Sequence, residues 1–261
     1  MNQTFNFHRF GLLLKLDFSE KGKNYFLTAG LLVGLMLLLM LPIILSKYSS
    51  EIIYLFHALA LFMVVMFGGS LFTHSVFSKY ASSDTGIAAI MIPASQLEKY
   101  LSALLLNLLF MVPLVLLFFK VHVWTVDYAN NVLYGGVVRY KYIPKEFLQY
   151  FLSIHVVIQG AVFLGSIYFT KLSYLKTATI LFITILLAGG INFLFANYVT
   201  SFPSNVVAFP FSAWKIWYYE SGKSYYLDYP EKIQYLVNIF PAVFLSGAWY
   251  IAFVRLKEKE I

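Results

Sequence analysis

Residues 25–45 read YFLTAGLLVGLMLLLMLPIIL, an unbroken apolar run with no acid, lysine or arginine. About 20 such residues, wound as a helix, cover a hydrocarbon core of roughly 30 Å. Five further apolar runs follow, none with an acid, lysine or arginine deep inside: about Ile52–Phe77, Tyr100–Phe119, Gln149–Thr170, Tyr174–Ala196 and Ile233–Val254. Lipid offers no partner to an open backbone N–H or C=O, so spanning segments are helices or barrel strands. Runs this long and continuously apolar exclude the ten-residue alternating strands of a barrel. The expected fold is an all-α membrane protein of about six transmembrane helices, with residues 1–261 forming a single transmembrane domain.

Composition agrees with this reading. Of 261 residues, 60% are hydrophobic and only 12% charged, about half the charged share of a soluble domain. Mean hydropathy is +0.75. Cysteine is absent, which removes disulfides and cysteine-based metal sites. A net charge of +7 would suit nucleic acid, but the basic residues are scattered at the ends of apolar runs and read as topology signals. With the N-terminus inside, eleven of them fall on the cytoplasmic side (Arg9, Lys15, Lys21, Lys23, Lys79, Lys99, Lys171, Lys176, Arg255, Lys257 and Lys259), against eight outside. Both termini are therefore expected in the cytoplasm. The N-terminal basic region is long and no small-residue cleavage site follows the first run, so that run is expected to remain as an anchor.

The segments between spans carry further signals. Residues 5–18 mix apolar and basic side chains and are too short to cross, which suits a helix lying in the interface. In 78–99, Ser95 and Glu98 form an S-x-x-E capping box that starts the third span near Gln96. Pro93 breaks any helix arriving from Asp84–Ile92. The expectation is a short helix, a break and a capped span. In 120–148, Asn130-Asn131 and Gly135-Gly136 between Val and Tyr residues suggest a small hairpin. The aromatic stretch within 197–232, with Trp214, Trp217, Tyr218 and Tyr225 among others, is expected to hug or dip into the outer leaflet.

Catalytic signatures are sparse. All twelve acids fall in loops or at span ends, and no H-E-x-x-H or G-x-S-x-G occurs. Gly222-Lys223-Ser224 resembles the end of a phosphate loop, but Trp217 stands where that motif needs glycine. No catalytic, cofactor or metal residue is assigned. His57, His74 and His155 fall within spans. A two-histidine metal or haem site at His57 and His155 is weighed against bonding to a neighbouring helix, which is favoured. His57 and His74 lie 17 positions apart, about 25 Å along a helix, too far to share a ligand. Asn107, Gln159, Asn192, Gln234 and Asn238 either face a polar cavity or bond adjacent helices.

Ile92-Pro93-Ala94-Ser95-Gln96-Leu97-Glu98-Lys99-Tyr100-Leu101-Ser102 is similar to the L-P-x-S-x-x-E-K-x-x-S stretch that many permeases of ABC-2-type exporters, a bacterial family, carry before the third span; here Ile92 replaces the usual leucine. The order of an interfacial N-terminal helix, six spans and an aromatic outer segment resembles that family along the whole chain. The resemblance implies a multi-pass protein of the bacterial cytoplasmic (inner) membrane that pairs with a second permease, identical or not. It also implies a separate ABC ATPase that holds ATP and magnesium, none being bound by this chain. The coupling helix that docks into the ATPase would lie around Ser82–Ile92, with Asp84, Thr85, Gly86, Ile87, Ile90 and Pro93 as coupling residues and Ser95 and Glu98 as caps. Residues 5–18 would be the connecting helix, and the outer aromatic segment would match short re-entrant helices. The transported substrate would be hydrophobic or amphipathic. Two other classes stay open: a membrane enzyme using Asp127, Arg139, Lys141 and Glu146 on lipid-linked substrates, and a non-transporting anchor or sensor subunit. An adjacent ATPase or kinase gene separates these readings.

Overall fold

A computed structural model describes residues 4–46, 51–80, 86, 91–201, 203, 205–209, 213–218, 222–228 and 230–258. Its helices are α1 (Phe7–Met40), α2 (Pro42–Leu45), α3 (Glu51–Ala60), α4 (Gly69–Phe77), α5 (Gln96–Tyr128), α6 (Lys145–Tyr168), α7 (Ser173–Val199) and α8 (Glu231–Glu258). Six helical stretches are long and apolar enough to cross a membrane: Phe7–Leu45, Glu51–Tyr80, Gln96–Leu133, Lys145–Tyr168, Ser173–Val199 and Gln234–Glu258.

These stretches run up and down, so Phe7, Tyr80, Gln96, Tyr168, Ser173 and Glu258 gather at one end, here the terminal face. One buried cluster there joins Phe77, Tyr80, Tyr100, Phe163, Ile167 and Leu256, with Leu14 packed against it. A second cluster, deeper in the bundle, joins Met36, Leu61, Val64, Leu114 and Phe118. A π-helical stretch, Leu61–Gly68, connects α3 to α4. It leads into Gly68 and Gly69, where any Cβ would strike Leu32 of α1 at 2.3 Å and Met111 of α5 at 2.5 Å. The second span therefore packs closely on both neighbours at these glycines, and a larger residue there would require the Leu32 and Met111 side chains to shift.

The structure departs from the sequence expectations in four places. Residues 5–18 do not form an element of their own. From Phe7 they are the first turns of α1, which runs 34 residues without a break. At 1.5 Å per residue such a helix is about 51 Å long, roughly 20 Å more than the hydrocarbon core. The helix of the third span continues beyond Phe119 into the segment read as a loop: Lys120 is exposed, while His122, Thr125 and Val126 are buried and α5 runs through them. No strand forms in 120–148. Instead the buried Asn130 side chain holds the returning chain, donating to Tyr140 O at 2.8 Å and accepting from the amides of Arg139 and Tyr140 at 3.0 Å. Gly135 and Gly136, at φ 60° and 88°, make the turn.

The fourth departure is the aromatic segment within 197–232, whose described residues form an antiparallel sheet in the order β1 (Asn205–Val207), β2 (Trp214–Tyr218), β3 (Lys223–Leu227). Neither re-entrant helices nor an all-helical chain describes it. Alternation decides the outcome: Val206 and Ile216 pair across β1 and β2 and bury one face with Ala196 of α7. Tyr218 donates its hydroxyl to Thr200 O at 2.5 Å, and Asn192 donates to Ala208 O at 3.0 Å, fastening the sheet to the end of α7. Gly222, at φ 63°, lies in the connection before β3, so the glycine of the Gly-Lys-Ser triplet serves a strand connection.

Helix α7 touches the bundle mainly at its ends. At its start, Thr177 lies so near α6 that a Cβ on Gly165 would fall 1.9 Å from Thr177 Oγ1 and 2.9 Å from its Cβ. Gly165→Ala is expected to lower the melting temperature of the detergent-solubilised protein, an overpacking cost of about 1–3 kcal/mol. The cost should disappear in a Thr177→Gly background. Equal costs in both backgrounds, measured by thermal unfolding, would disprove this crossing.

Candidate functional site

Two groups of polar side chains stand out against the apolar bundle, one at the terminal face and one inside the spans. At the terminal face, Asn6 caps α1 by accepting from the amides of His8 and Arg9 at 2.8 and 3.3 Å. Ser95 caps α5 with a reciprocal capping box: Ser95 Oγ accepts from the Glu98 amide at 3.2 Å, and Glu98 Oε2 accepts from the Ser95 amide at 2.8 Å. The other carboxylate oxygen, Oε1, accepts from the Asn6 amide at 2.6 Å and from Arg9 at 3.0 Å. One carboxylate thus joins the cap residues of two helices that are 92 positions apart at their bond. Glu98 is fully buried, and the positive ends of both helices favour its charge.

A second ion pair reaches α1 from the other side of the connector. Lys79, at the end of the second span, pairs with Asp17 of α1, and Asp17 is itself buried. Tyr80 donates to Lys99 O at 3.4 Å. The connector between the second and third spans is therefore tied to α1 at its start through Lys79 and at its end through Glu98. Of the coupling residues expected from the sequence, Gly86 is helical and buried, and Pro93 lies in an exposed bend after the exposed Met91. Asp84, Thr85, Ile87 and Ile90 lie outside the described residues.

Inside the spans, Thr73 of α4, Asn107 of α5 and Gln159 of α6 meet. Thr73 Oγ1 lies 2.8 Å from Asn107 Oδ1, 3.1 Å from Gly69 O and in hydrogen-bond contact with Gln159 Oε1. Gln159 Nε2 makes a long 3.5 Å contact with His155 Nε2. All four side chains are buried. His155 ends the series, because its Nδ1 has no hydrogen-bond partner among the described residues. Beside the cluster lies a cavity of about 250 Å³ bounded by α5, α6 and α8, with Asn107, Met111, His155, Gln159 and Trp249 in its wall.

The remaining histidines are accounted for by neighbours. His57 bonds to neighbouring helices, the alternative favoured from the sequence, and its ring partner is His122 of α5 rather than His155. The Ile143 amide donates to His122 Nε2 at 3.2 Å, so the His122 proton resides on Nδ1. That proton is given to His57 Nδ1 at 2.9 Å, and His57 Nε2 donates to Met40 O at 3.2 Å. Both rings are neutral and neither keeps a lone pair for a metal. His74 meets Ser173 at 3.4 Å and the Tyr174 ring at 5.6 Å. Among the described residues no group of three or more His, Cys, Asp or Glu side chains is placed to hold a metal ion.

The loop charges considered for an enzyme are engaged elsewhere or exposed. Asp127 accepts from the Tyr142 hydroxyl, which pushes that phenol's pKa up. Arg139 stacks on Tyr134 at 4.5 Å, and Lys141 and Glu146 are exposed. Asn192 is spent on the sheet, while Gln234 and Asn238 are exposed. Comparison of the chain with family models, curated proteins and solved structures returns no match.

Glu98→Ala strands the amides of Ser95 and Asn6 and the Arg9 guanidinium together, and is expected to cost about 3–5 kcal/mol of stability. Arg9→Ala, which removes a half-exposed partner but leaves both amides, is expected to cost no more than about 1 kcal/mol. Thermal unfolding of the two variants checks the order; an equal or reversed order would show that the amides carry little of the load.

Proposed function

We propose that this chain is the permease subunit of an ATP-driven exporter of the ABC-2 type, set in a bacterial cytoplasmic membrane with both termini in the cytoplasm. The terminal face is then the cytoplasmic face, and the first turns of α1, a helix about 20 Å longer than the hydrocarbon core, extend through its headgroup layer. A partner ATPase docks on the connector between the second and third spans and supplies ATP hydrolysis, while a second permease completes the pathway. The cargo is hydrophobic or amphipathic.

The observation that carries this reading is the anchoring of the connector. A partner can bias a conformational equilibrium only through contacts that differ between its states. Here the two ends of the connector are bracketed by Lys79–Asp17 and by Glu98 with Asn6 and Arg9. A push on it is delivered to α1, α4 and α5 together. The Ile92–Ser102 stretch that resembles the family's pre-span motif supplies the far half of that bracket. The polar cluster at Thr73, Asn107 and Gln159 lies between two of the helices so driven, where intramembrane polar groups mark pathways in transport proteins.

The test is a pull-down of the tagged chain from solubilised native membranes, beside a variant in which Asp84–Ile92 is replaced by a flexible linker. An ATPase bearing a phosphate loop should co-purify with the parent and be lost from the variant, with both proteins still inserted. Absence of an ATPase, or its equal recovery with both, would contradict the proposal.

A further inference from the structure

We propose that the cavity between α5, α6 and α8 is a binding site for an amphiphile with a terminal hydroxyl, received from the membrane, whose hydroxyl bonds to His155. Binding of this kind does not depend on an ATPase.

Three observations converge on it. The cavity wall is almost wholly hydrocarbon, from residues such as Leu108, Val112, Leu152 and Leu245. Val112 and Leu116, on its α5 side, are exposed on the outer surface of the bundle, so an entrant arrives sideways from lipid. Its volume of about 250 Å³ corresponds to roughly eight water molecules of liquid, but its lining is too apolar to hold such a group of waters, which need two to four polar partners each. A hydrocarbon chain fits it better.

The one feature that asks for more than a chain is His155. It is 6% exposed, and its Nδ1 has no partner among the described residues. A buried polar atom left unmade is costly, so a ligand that completes it gains accordingly. The hydrogen-bond series behind it explains why a hydroxyl is the group required. The Thr73 hydroxyl has a single proton but faces Gly69 O and the amides of Asn107 and Gln159. The series can therefore run in two directions, set by which amide turns its nitrogen to Thr73. When Gln159 Nε2 donates to His155 Nε2, Nδ1 carries a proton and needs an acceptor. When the Gln159 amide is reversed, His155 Nε2 donates to it and Nδ1 needs a donor. A hydroxyl serves as either, whereas an ether, an ester carbonyl or an ammonium group serves only one.

Trp249 lies in the same wall and provides the readout. The parent protein with Trp124→Phe, Trp214→Phe and Trp217→Phe, reconstituted in phosphatidylcholine nanodiscs, retains only this indole. Titration with 11-bromoundecan-1-ol is expected to quench Trp249 saturably, at a mole fraction roughly three- to tenfold below that needed for 1-bromoundecane, which lacks the hydroxyl. His155→Phe should abolish the preference between the two probes, and Leu152→Phe, which narrows the cavity, should weaken both. The comparison of the two probes on the parent needs no cavity variant, so it stands even where a variant misfolds. Equal, non-saturating quenching by both probes would mean simple partitioning into lipid and would overturn the proposal. A preference that survives His155→Phe would overturn the assignment to His155.

Discussion

Glu98 holds the architecture of the terminal face together through three donors on one buried carboxylate, the Ser95 and Asn6 amides and the Arg9 guanidinium, while its own amide donates to Ser95 Oγ to complete the cap of α5. Every helix N-terminus leaves amides unpaired, and in or near a membrane water cannot be relied on to fill them. Here two such ends share one acid. The arrangement sets the crossing of α1 and α5, and the Asp17–Lys79 pair then fixes the second span against the same helix. The two ends of the connector between the second and third spans are thereby held against α1.

Deeper in the bundle the constraint changes from charge to shape and to hydrogen-bond count. Gly69 brings α4 within reach of α5 and α6, and this close approach lets Thr73, Asn107 and Gln159 meet. Nearer the other face, the Ile143–His122–His57–Met40 series spends every ring nitrogen and pins the returning loop to α1, α3 and α5. The two groups differ in one respect: the His57–His122 series is closed at both ends, while the Thr73 cluster ends on His155 Nδ1, which has no partner among the described residues, beside a cavity.

Much of this architecture was legible in the sequence, for physical reasons that can be named. The six apolar runs were readable because length and hydropathy alone decide a span. The start of α5 was readable because a capping box is a local signal, and the break at Pro93 likewise. What escaped was set by contacts distant in sequence. Nothing near Glu98 announces Asn6 or Arg9, 92 and 89 positions away. The continuation of α5 past Phe119 escaped because Lys120 looks like a helix boundary, yet a long lysine reaches outward from a helix that continues; His122 was lost with it. The β-sheet was misread because aromatic density was given more weight than the alternation of Val206 and of Ile216, which was the available signal. The Asn130 tether replaced a hairpin because one buried amide met the same backbone groups that strand pairing would have.

Coupling to an ATPase requires the connector between the second and third spans to face the cytoplasm and the 134–144 loop to face outward. The chain has no cysteine, so single cysteines placed at the exposed Met91 and Val138 can be labelled in intact cells with a membrane-impermeant maleimide. The expected result is labelling at position 138 in intact cells and at position 91 only after the membrane is permeabilised. Labelling at 91 in intact cells, with 138 protected, would invert the topology and remove the basis for a cytoplasmic coupling surface.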